Sequence, residues 1–245
     1  MRRLFPVLLF LVLHTAGSAA EPLCAPLYFE DNAYSVCRID LRQTRLELFN
    51  LDAQGTPFGS FSALAGSLGA EGKDLGFAMN AGMFDERLRP IGLYVEDGVQ
   101  ARKLNRRDGY GNFHVKPNGV FYISGDRAGV AATDSYARLT EKPDFATQSG
   151  PMLVIEGEIH PRFSDTGTSY KRRNGVGVPD AHTAIFAISE NAVNFHDFAK
   201  LFRDRLNCPN ALFFDGTVSS LYSPELGRND GFAALGPMVG ALKVK

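Results

Sequence analysis

The stretch Ala211-Leu212-Phe213-Phe214-Asp215-Gly216-Thr217-Val218-Ser219-Ser220 decides how this chain is read. An apolar run long enough for a buried strand ends abruptly in a carboxylate, a glycine and hydroxyls. Strand ends are where backbone turns and water or ligand enters, so functional groups gather there. Three other segments have the same form: Phe77-Ala78-Met79-Asn80-Ala81-Gly82-Met83-Phe84, Gln148-Ser149-Gly150-Pro151-Met152-Leu153-Val154 and Arg173-Asn174-Gly175-Val176-Gly177-Val178. Each joins a polar group to glycine and an apolar run. Brought together, they make a pocket with one acid, one guanidinium and several amides.

Working outward, short strands and tight turns dominate. Leu27 to Glu30 and Tyr34 to Leu41 flank Asp31-Asn32-Ala33, and Arg45 to Phe49 continues the pattern. Ile91 to Glu96 and Val99 to Leu104 flank Asp97-Gly98, a strong hairpin signal. Gly119 to Ser124 precedes a turn at Gly125-Asp126, and Met152 to Ile155 precedes one at Glu156-Gly157. Leu75 to Met79, Ala184 to Ile188 and the Ala211 run are further strands. Two helices are predicted. Ser60 to Leu68 puts Phe61, Leu64, Ala65 and Leu68 on one face, ending at Gly69 and Gly72. Asn194 caps the other through Leu206, with Asp197 favourable in its first turn. Pro161 to Arg172 is a polar loop, either a plain surface excursion or a lid. The expected fold class is α+β: one domain over 21–245 with a mixed or mostly antiparallel β-sheet core and a few helices.

The chain has 245 residues, a net charge of -1 and 44% hydrophobic residues, which suits one globular domain with a real core. The balanced charge argues against nucleic acid or an anionic membrane surface as main partner. Arg2 and Arg3 precede an apolar stretch from Leu4 to Leu13, then small residues ending Ser18-Ala19-Ala20. This is the pattern of a signal peptide over 1–20, too short for a stable membrane span, and it places the mature protein in the periplasm or outside the cell. In such an oxidising compartment Cys24, Cys37 and Cys208 allow one internal bridge. Cys24 and Cys37 flank the first hairpin, which brings their sulfurs close. Cys208, before Pro209, is then a small buried hydrophobe.

Each polar group carries a chemical and a structural meaning. Asp215 serves as nucleophile or general base, or caps the turn after it. Gly216 lets backbone approach a ligand, while Ser219 and Ser220 bind ligand oxygen or satisfy the turn. Arg173 offers a permanently charged fork for phosphate or carboxylate. Its neighbours Lys171 and Arg172 extend a charge run, and such runs usually face solvent. Asn80 presents both donors and an acceptor, or stabilises a turn beside Gly82. His114, between Asn112 and Asn118, is a proton donor or, more simply, a hydrogen-bonded structural histidine. Gln148, Ser149 and Gly150 are placed to line a pocket. No Cys-x-x-Cys, Gly-x-Ser-x-Gly, phosphate-binding P-loop or His-Glu-x-x-His occurs. Phe214-Asp215-Gly216-Thr217 is superficially similar to haloacid dehalogenase-type phosphatases, but Phe213 stands where those need a second acid.

Taken in order, the motifs resemble the phosphodiester glycosidase family from about Leu75 to Val239. Asn80-Ala81-Gly82-Met83-Phe84 is similar to its Asn-Gly-Gly-Phe-Phe, and Ser149-Gly150-Pro151 to its Gly-Gly-Pro. Arg173-Asn174-Gly175-Val176-Gly177 is similar to Arg-Thr-Ala-Ile-Gly, and Leu212 to Ser220 to Leu-Asn-Leu-Asp-Gly-Gly-Gly-Ser-Ser. Two departures stand out: Thr217-Val218 replaces glycines, and Ala81 replaces another. The resemblance implies cleavage of a sugar-1-phosphodiester at the anomeric carbon. Asp215 would be nucleophile or base, Arg173 the phosphate clamp, Asn80 an orienting group and His114 a proton shuttle. Gly82, Asn118, Gln148, Ser149, Gly150, Gly216, Ser219 and Ser220 would line the substrate site. No cofactor is required; a divalent metal suits a phosphate site, but no dense acidic cluster demands one. The expected partner is a glycan or sugar phosphodiester. The rival, from another class, is an exported glycan-binding module of the cell envelope without turnover.

Overall fold

The computed structural model describes residues 22–243. The expected leader lies outside them. Every ladder joining named strands is antiparallel, and the strands form three sheets. The largest has seven strands, ordered Cys24–Phe29, Asn32–Asp40, Thr183–Ser189, Asn174–Asp180, Asn210–Asp215, Met152–Ile155, Glu158–Ile159. The second is ordered Arg228–Asn229, Leu221–Ser223, Asp74–Asn80, Met238–Lys243, Arg45–Phe49. The third is ordered Val99–Arg102, Tyr94–Glu96, Phe145–Ser149, Gly119–Ser124, Arg127–Ala132.

The three sheets enclose one core, because alternate side chains of each strand point inward. Phe186 of the large sheet marks the junction. Its ring lies 5.0 Å from Phe77 of the second sheet and 5.7 Å from Phe121 of the third. Such tilted and edge-on pairs each add about 0.5–1.5 kcal/mol beyond burial. The helices cover outer faces. Phe61–Ala70 lays Phe61, Leu64 and Leu68 on the second sheet, with Ser60 capping its N-terminus through a bond from Ala63 N. Gly69 sits inside this helix, and the chain turns away at Gly72, whose φ of +73° suits glycine. Phe195–Lys200, capped by Asn194 at Asp197 N (2.8 Å), covers the large sheet and runs into a wide π turn over Leu201–Arg205. The expected single helix to Leu206 is therefore an α segment followed by a looser one.

Cys24 stands directly opposite Cys37 and is bonded to it, as the first hairpin implies. Cys208 is buried and free, and burial pushes its thiol up to about 12. It fills space left by Gly177, where an added Cβ would lie 2.6 Å from its sulfur. The Asp97-Gly98 hairpin is shorter than expected. Leu93 N (3.0 Å) and Asn105 N (2.9 Å) both donate to the Gln148 side-chain oxygen, which replaces the ladder there. Among the described residues no helix is long and apolar enough to cross a membrane.

Candidate active site

A one-residue irregularity aims Asp215. In the ladder between Asn174–Asp180 and Asn210–Asp215, Gly175 pairs with Phe213 but Asn174 pairs with Asp215. Phe214 is the extra residue. Strict alternation would send Asp215 to the helix-covered face beside Phe213. The bulge instead sets it opposite Asn174, whose face is that of the inward-pointing Val176. Bulges beside functional sites commonly re-aim a side chain in this way.

Asp215 is 8% exposed, and one carboxylate oxygen accepts from Thr217 N and, at 2.7 Å, from Val218 N. Burial raises its pKa above the ordinary carboxylate value, while the amides of Val218, Thr217 and Gly216 pull the other way. Burial wins. The Ser219 hydroxyl points at the carbonyl oxygens of Asp215 (2.9 Å) and Arg172 (3.2 Å), and Ser220 Oγ donates to Val218 O at 2.7 Å. Both serines thus brace the turn that carries Asp215.

Arg173 is fully buried yet has no carboxylate partner among the described residues. Its Nε donates to Val193 O (2.9 Å), and one terminal nitrogen donates to Ser169 O (2.5 Å) and Ser169 Oγ (3.2 Å). The guanidinium carbon lies 3.6 Å from the centroid of the Phe195 ring and 5.4 Å from that of Phe213. Phe195 stacks on Phe163 (4.8 Å), which stacks on the buried His160 (4.7 Å). Burial lowers the Arg173 pKa to about 10, so it stays charged at neutral pH. Its other terminal nitrogen lies 3.5 Å from where a Cβ on Gly216 would stand. An unpaired charge out of water costs several kcal/mol, and an anionic ligand offsets that cost. The loop 161–172 therefore does more than cross the surface: Phe163 anchors it, and Ser169 grips the arginine.

Asn80 joins the second sheet to this turn. Its side-chain oxygen accepts from Ser220 N (2.9 Å) and from Asn174 Nδ2 (3.0 Å), and its backbone carbonyl also accepts from Asn174 Nδ2 (2.9 Å). Asn80 Nδ2 and Asn174 Oδ1 are buried without hydrogen-bond partners. Asn174, Arg173, Gly216, Ser219, Ser220, Asn80 and Asp215 thus form one contiguous group. Gly82, at φ +116°, packs beside Thr147 and Ser149, and Ser149 Oγ donates to Phe214 O at 3.0 Å.

Gln148 and Asn118 serve the scaffold. Gln148 spends its amide on Leu93 N, Asn105 N, Asn105 O (2.7 Å) and Thr133 Oγ1 (3.1 Å). Thr133 donates to Asn118 Oδ1 (2.8 Å), and Asn118 Nδ2 donates to Phe113 O (2.9 Å). Gly150 leaves room against Asn118, 2.6 Å from a would-be Cβ. The expected pocket-lining amides at these two positions are therefore already occupied. His114 has its Nδ1 3.1 Å from Arg107 O, and no described hydrogen bond joins it to Asp215, Arg173 or Asn80.

Several contributors were missed from sequence. Asn174 stands inside one of the four motifs with no chemistry of its own to single it out, yet it touches Asn80 and faces Asp215. Its signal is a polar side chain at an inward position of an otherwise apolar strand. Phe195 and Phe213 are ordinary apolar positions of a helix and a strand, and no local pattern marks them as a seat for arginine. Ser169 and Val193 act through carbonyls, which any residue has. Among the described residues no three His, Cys, Asp or Glu side chains cluster as a cation site.

Comparison with known proteins shows the family and the fold. The profile of the phosphodiester glycosidase family matches residues 73–233, a span that includes every group of the cluster. The chain is 36% identical over 222 residues to YigE of Escherichia coli strain K12, described as uncharacterized, covering 91% of this chain and 85% of that protein. Its fold is similar to the zebrafish N-acetylglucosamine-1-phosphodiester alpha-N-acetylglucosaminidase catalytic domain auto-inhibited by pro-peptide, with TM-score 0.61, 16% identity, and 91% and 84% of the two chains covered. A hypothetical protein from Synechocystis matches with TM-score 0.53 and 14% identity, over 90% of this chain and 61% of that one. By its matched span and its ordered motifs, the chain belongs to the phosphodiester glycosidase family, a family of glycosidase-type hydrolases.

Proposed function

We propose that this chain is an exported hydrolase that cleaves a sugar-1-phosphodiester between the anomeric carbon and the phosphate oxygen. An N-acetylglucosamine-like sugar is compatible with the name of the zebrafish relative. The observation that carries the reading is a buried acid, Asp215, followed directly by a glycine, Gly216, whose would-be Cβ lies 3.5 Å from the free terminal nitrogen of a buried arginine that no carboxylate neutralises.

Ordinary glycosidases use two carboxyl groups, because the departing alkoxide must be protonated. A phosphate leaves with its charge already stabilised, so one carboxyl suffices. As the C1–O bond breaks, its electron pair stays on the phosphate oxygen and positive charge develops at the sugar. Asp215, poorly solvated and fixed by the Thr217 and Val218 amides, answers that charge as nucleophile or as base toward water. Arg173 holds the phosphate. Asn80, with an unused donor beside the turn, orients the substrate. No contact supports the shuttle role for His114. Water supplies the hydroxyl that ends on C1, and its proton goes to Asp215 or solvent.

Export rests on residues 1–20 and is supported by the Cys24–Cys37 bond, which persists in oxidising compartments. The rival reading, a binding module, takes support from the capping of Asp215 by Thr217 and Val218 amides, which is also how a mere turn residue behaves. Incubation with a panel of sugar-1-phosphodiesters decides. Sugar release by the unaltered protein, lost in Asp215→Asn, supports the hydrolase. Saturable binding without product supports the module.

A further inference from the structure

The run Lys171-Arg172-Arg173 places three cations in a row, and the structure gives them different surroundings. Arg172 is neutralised: its guanidinium lies 3.0 Å from Glu190 and 3.9 Å from Asp230. Arg173 is buried on Phe195 with no carboxylate. Lys171 is exposed and pairs with no carboxylate among the described residues.

Lys171 and Arg173 also share a side. Lys171 exchanges backbone hydrogen bonds with Val193 (3.1 and 2.9 Å), and Arg173 Nε donates to the same Val193 carbonyl. Side chains two residues apart on an extended segment point the same way, with the residue between them pointing oppositely. The space above Gly216 bears this out. A Cβ placed there would meet Phe213 Cζ at 3.2 Å, Arg173 Nη1 at 3.5 Å and Lys171 Cβ at 3.6 Å. The free terminal nitrogen of Arg173 and the root of the Lys171 side chain therefore border the same glycine, beside the Phe213 ring.

We propose that Lys171 and Arg173 together form a dianion subsite over Gly216, in which Lys171 takes up the charge that appears only as the glycosidic bond breaks. This deepens the hydrolase reading and rests on it. A phosphodiester carries one negative charge. When its C1–O bond breaks, the electron pair passes to the phosphate oxygen, and the leaving monoester carries two. Arg173 matches the first charge from a fixed, stacked seat. Lys171, a point charge on a flexible stem, matches the second. An interaction that grows between ground state and transition state accelerates the reaction without tightening substrate binding. The same subsite takes up free phosphate dianion.

The test compares the full mature chain with Lys171→Met and Lys171→Arg. Inorganic phosphate at about pH 8, chiefly the dianion, is titrated calorimetrically, and kcat and KM are measured on one sugar-1-phosphodiester. Lys171→Met should weaken phosphate about tenfold or more and lower kcat by a similar factor, with KM for the diester within about threefold. Lys171→Arg should keep most of both. Unchanged phosphate affinity and kcat in Lys171→Met overturns the proposal, as does failure of the unaltered protein to bind phosphate. Lys171-dependent phosphate binding without cleavage of any diester leaves the subsite standing and removes the hydrolase reading.

Discussion

Asn174 stands directly across the ladder from Asp215, and one extra residue, Phe214, puts it there. The pairing ties the acid to a strand whose next residue toward the N-terminus is the buried Arg173. It also ties it to Asn80 in another sheet, through Asn174 Nδ2. The site is thus built where two sheets meet, around a turn whose first residue faces Asn174 and whose last, Ser220, donates to Asn80.

The acid limb of activity should lie above the ordinary carboxylate range. Burial raises the Asp215 pKa from 3.8, and as nucleophile or base it must be ionised. A profile of kcat/KM against pH should therefore fall toward acid with a midpoint higher than 3.8. A midpoint at or below that value would assign the limb to another group.

Asp215→Asn should separate activity from stability. The loss of turnover is expected to be about 10²–10⁴-fold. Because the folded pKa is raised, this group favours folding below its unfolded pKa, and that contribution is lost as pH rises through the folded value. At neutral pH the buried carboxylate works against folding. Asp215→Asn should then raise Tm at neutral pH, with the gain shrinking toward pH 3.8, read by thermal melts across pH. A variant as active as the parent removes the acid from the mechanism.

Arg173→Met replaces a buried cation by an apolar chain that still packs on Phe195 and Phe213. Such replacements are often neutral for stability or better. KM for a phosphodiester should rise at least about tenfold, while Tm holds or increases. A large fall in Tm with unchanged KM would make Arg173 structural.

Asn174→Ala removes the donor that holds Asn80 and leaves Asp215 facing a methyl group. A destabilisation of about 1–2 kcal/mol is expected in urea unfolding. Turnover should fall more than substrate affinity, because Asn80 Oδ1, the acceptor that anchors Ser220 N, loses the other of its two donors. Unaltered kcat would show that the turn holds itself.

Much of the fold was legible because local chemistry and final structure agree. Asp97 and Glu156 both adopt positive φ ahead of a glycine, which is what hairpins at Asp97-Gly98 and Glu156-Gly157 demand. Ser60 and Asn194 cap helices because their short side chains reach backbone amides three residues on. The hidden parts depend on distant neighbours. Met238–Lys243 is a central strand, yet its Gly240 suggests a turn. The glycine is there because Leu75 and Phe49 side chains press to 2.9 and 3.1 Å of a would-be Cβ. Gln148 reads as a pocket amide in sequence because nothing local shows that two backbone N–H groups from other segments need its oxygen. The four motifs at the strand ends single out Asp215, Arg173 and Asn80 as candidates. Only the fold could show that Asn174 links them, that Phe214 aims the acid, and that aromatic rings seat the arginine.

Hydrolysis in ¹⁸O-labelled water tests the central claim most directly, since it reports which bond to the bridging oxygen breaks. With a sugar-1-phosphodiester as substrate, mass spectrometry should find the label on the released sugar and none on the phosphate ester. Label on phosphorus would show cleavage of the P–O bond instead, and the anomeric chemistry assigned to Asp215 and Arg173 would be wrong.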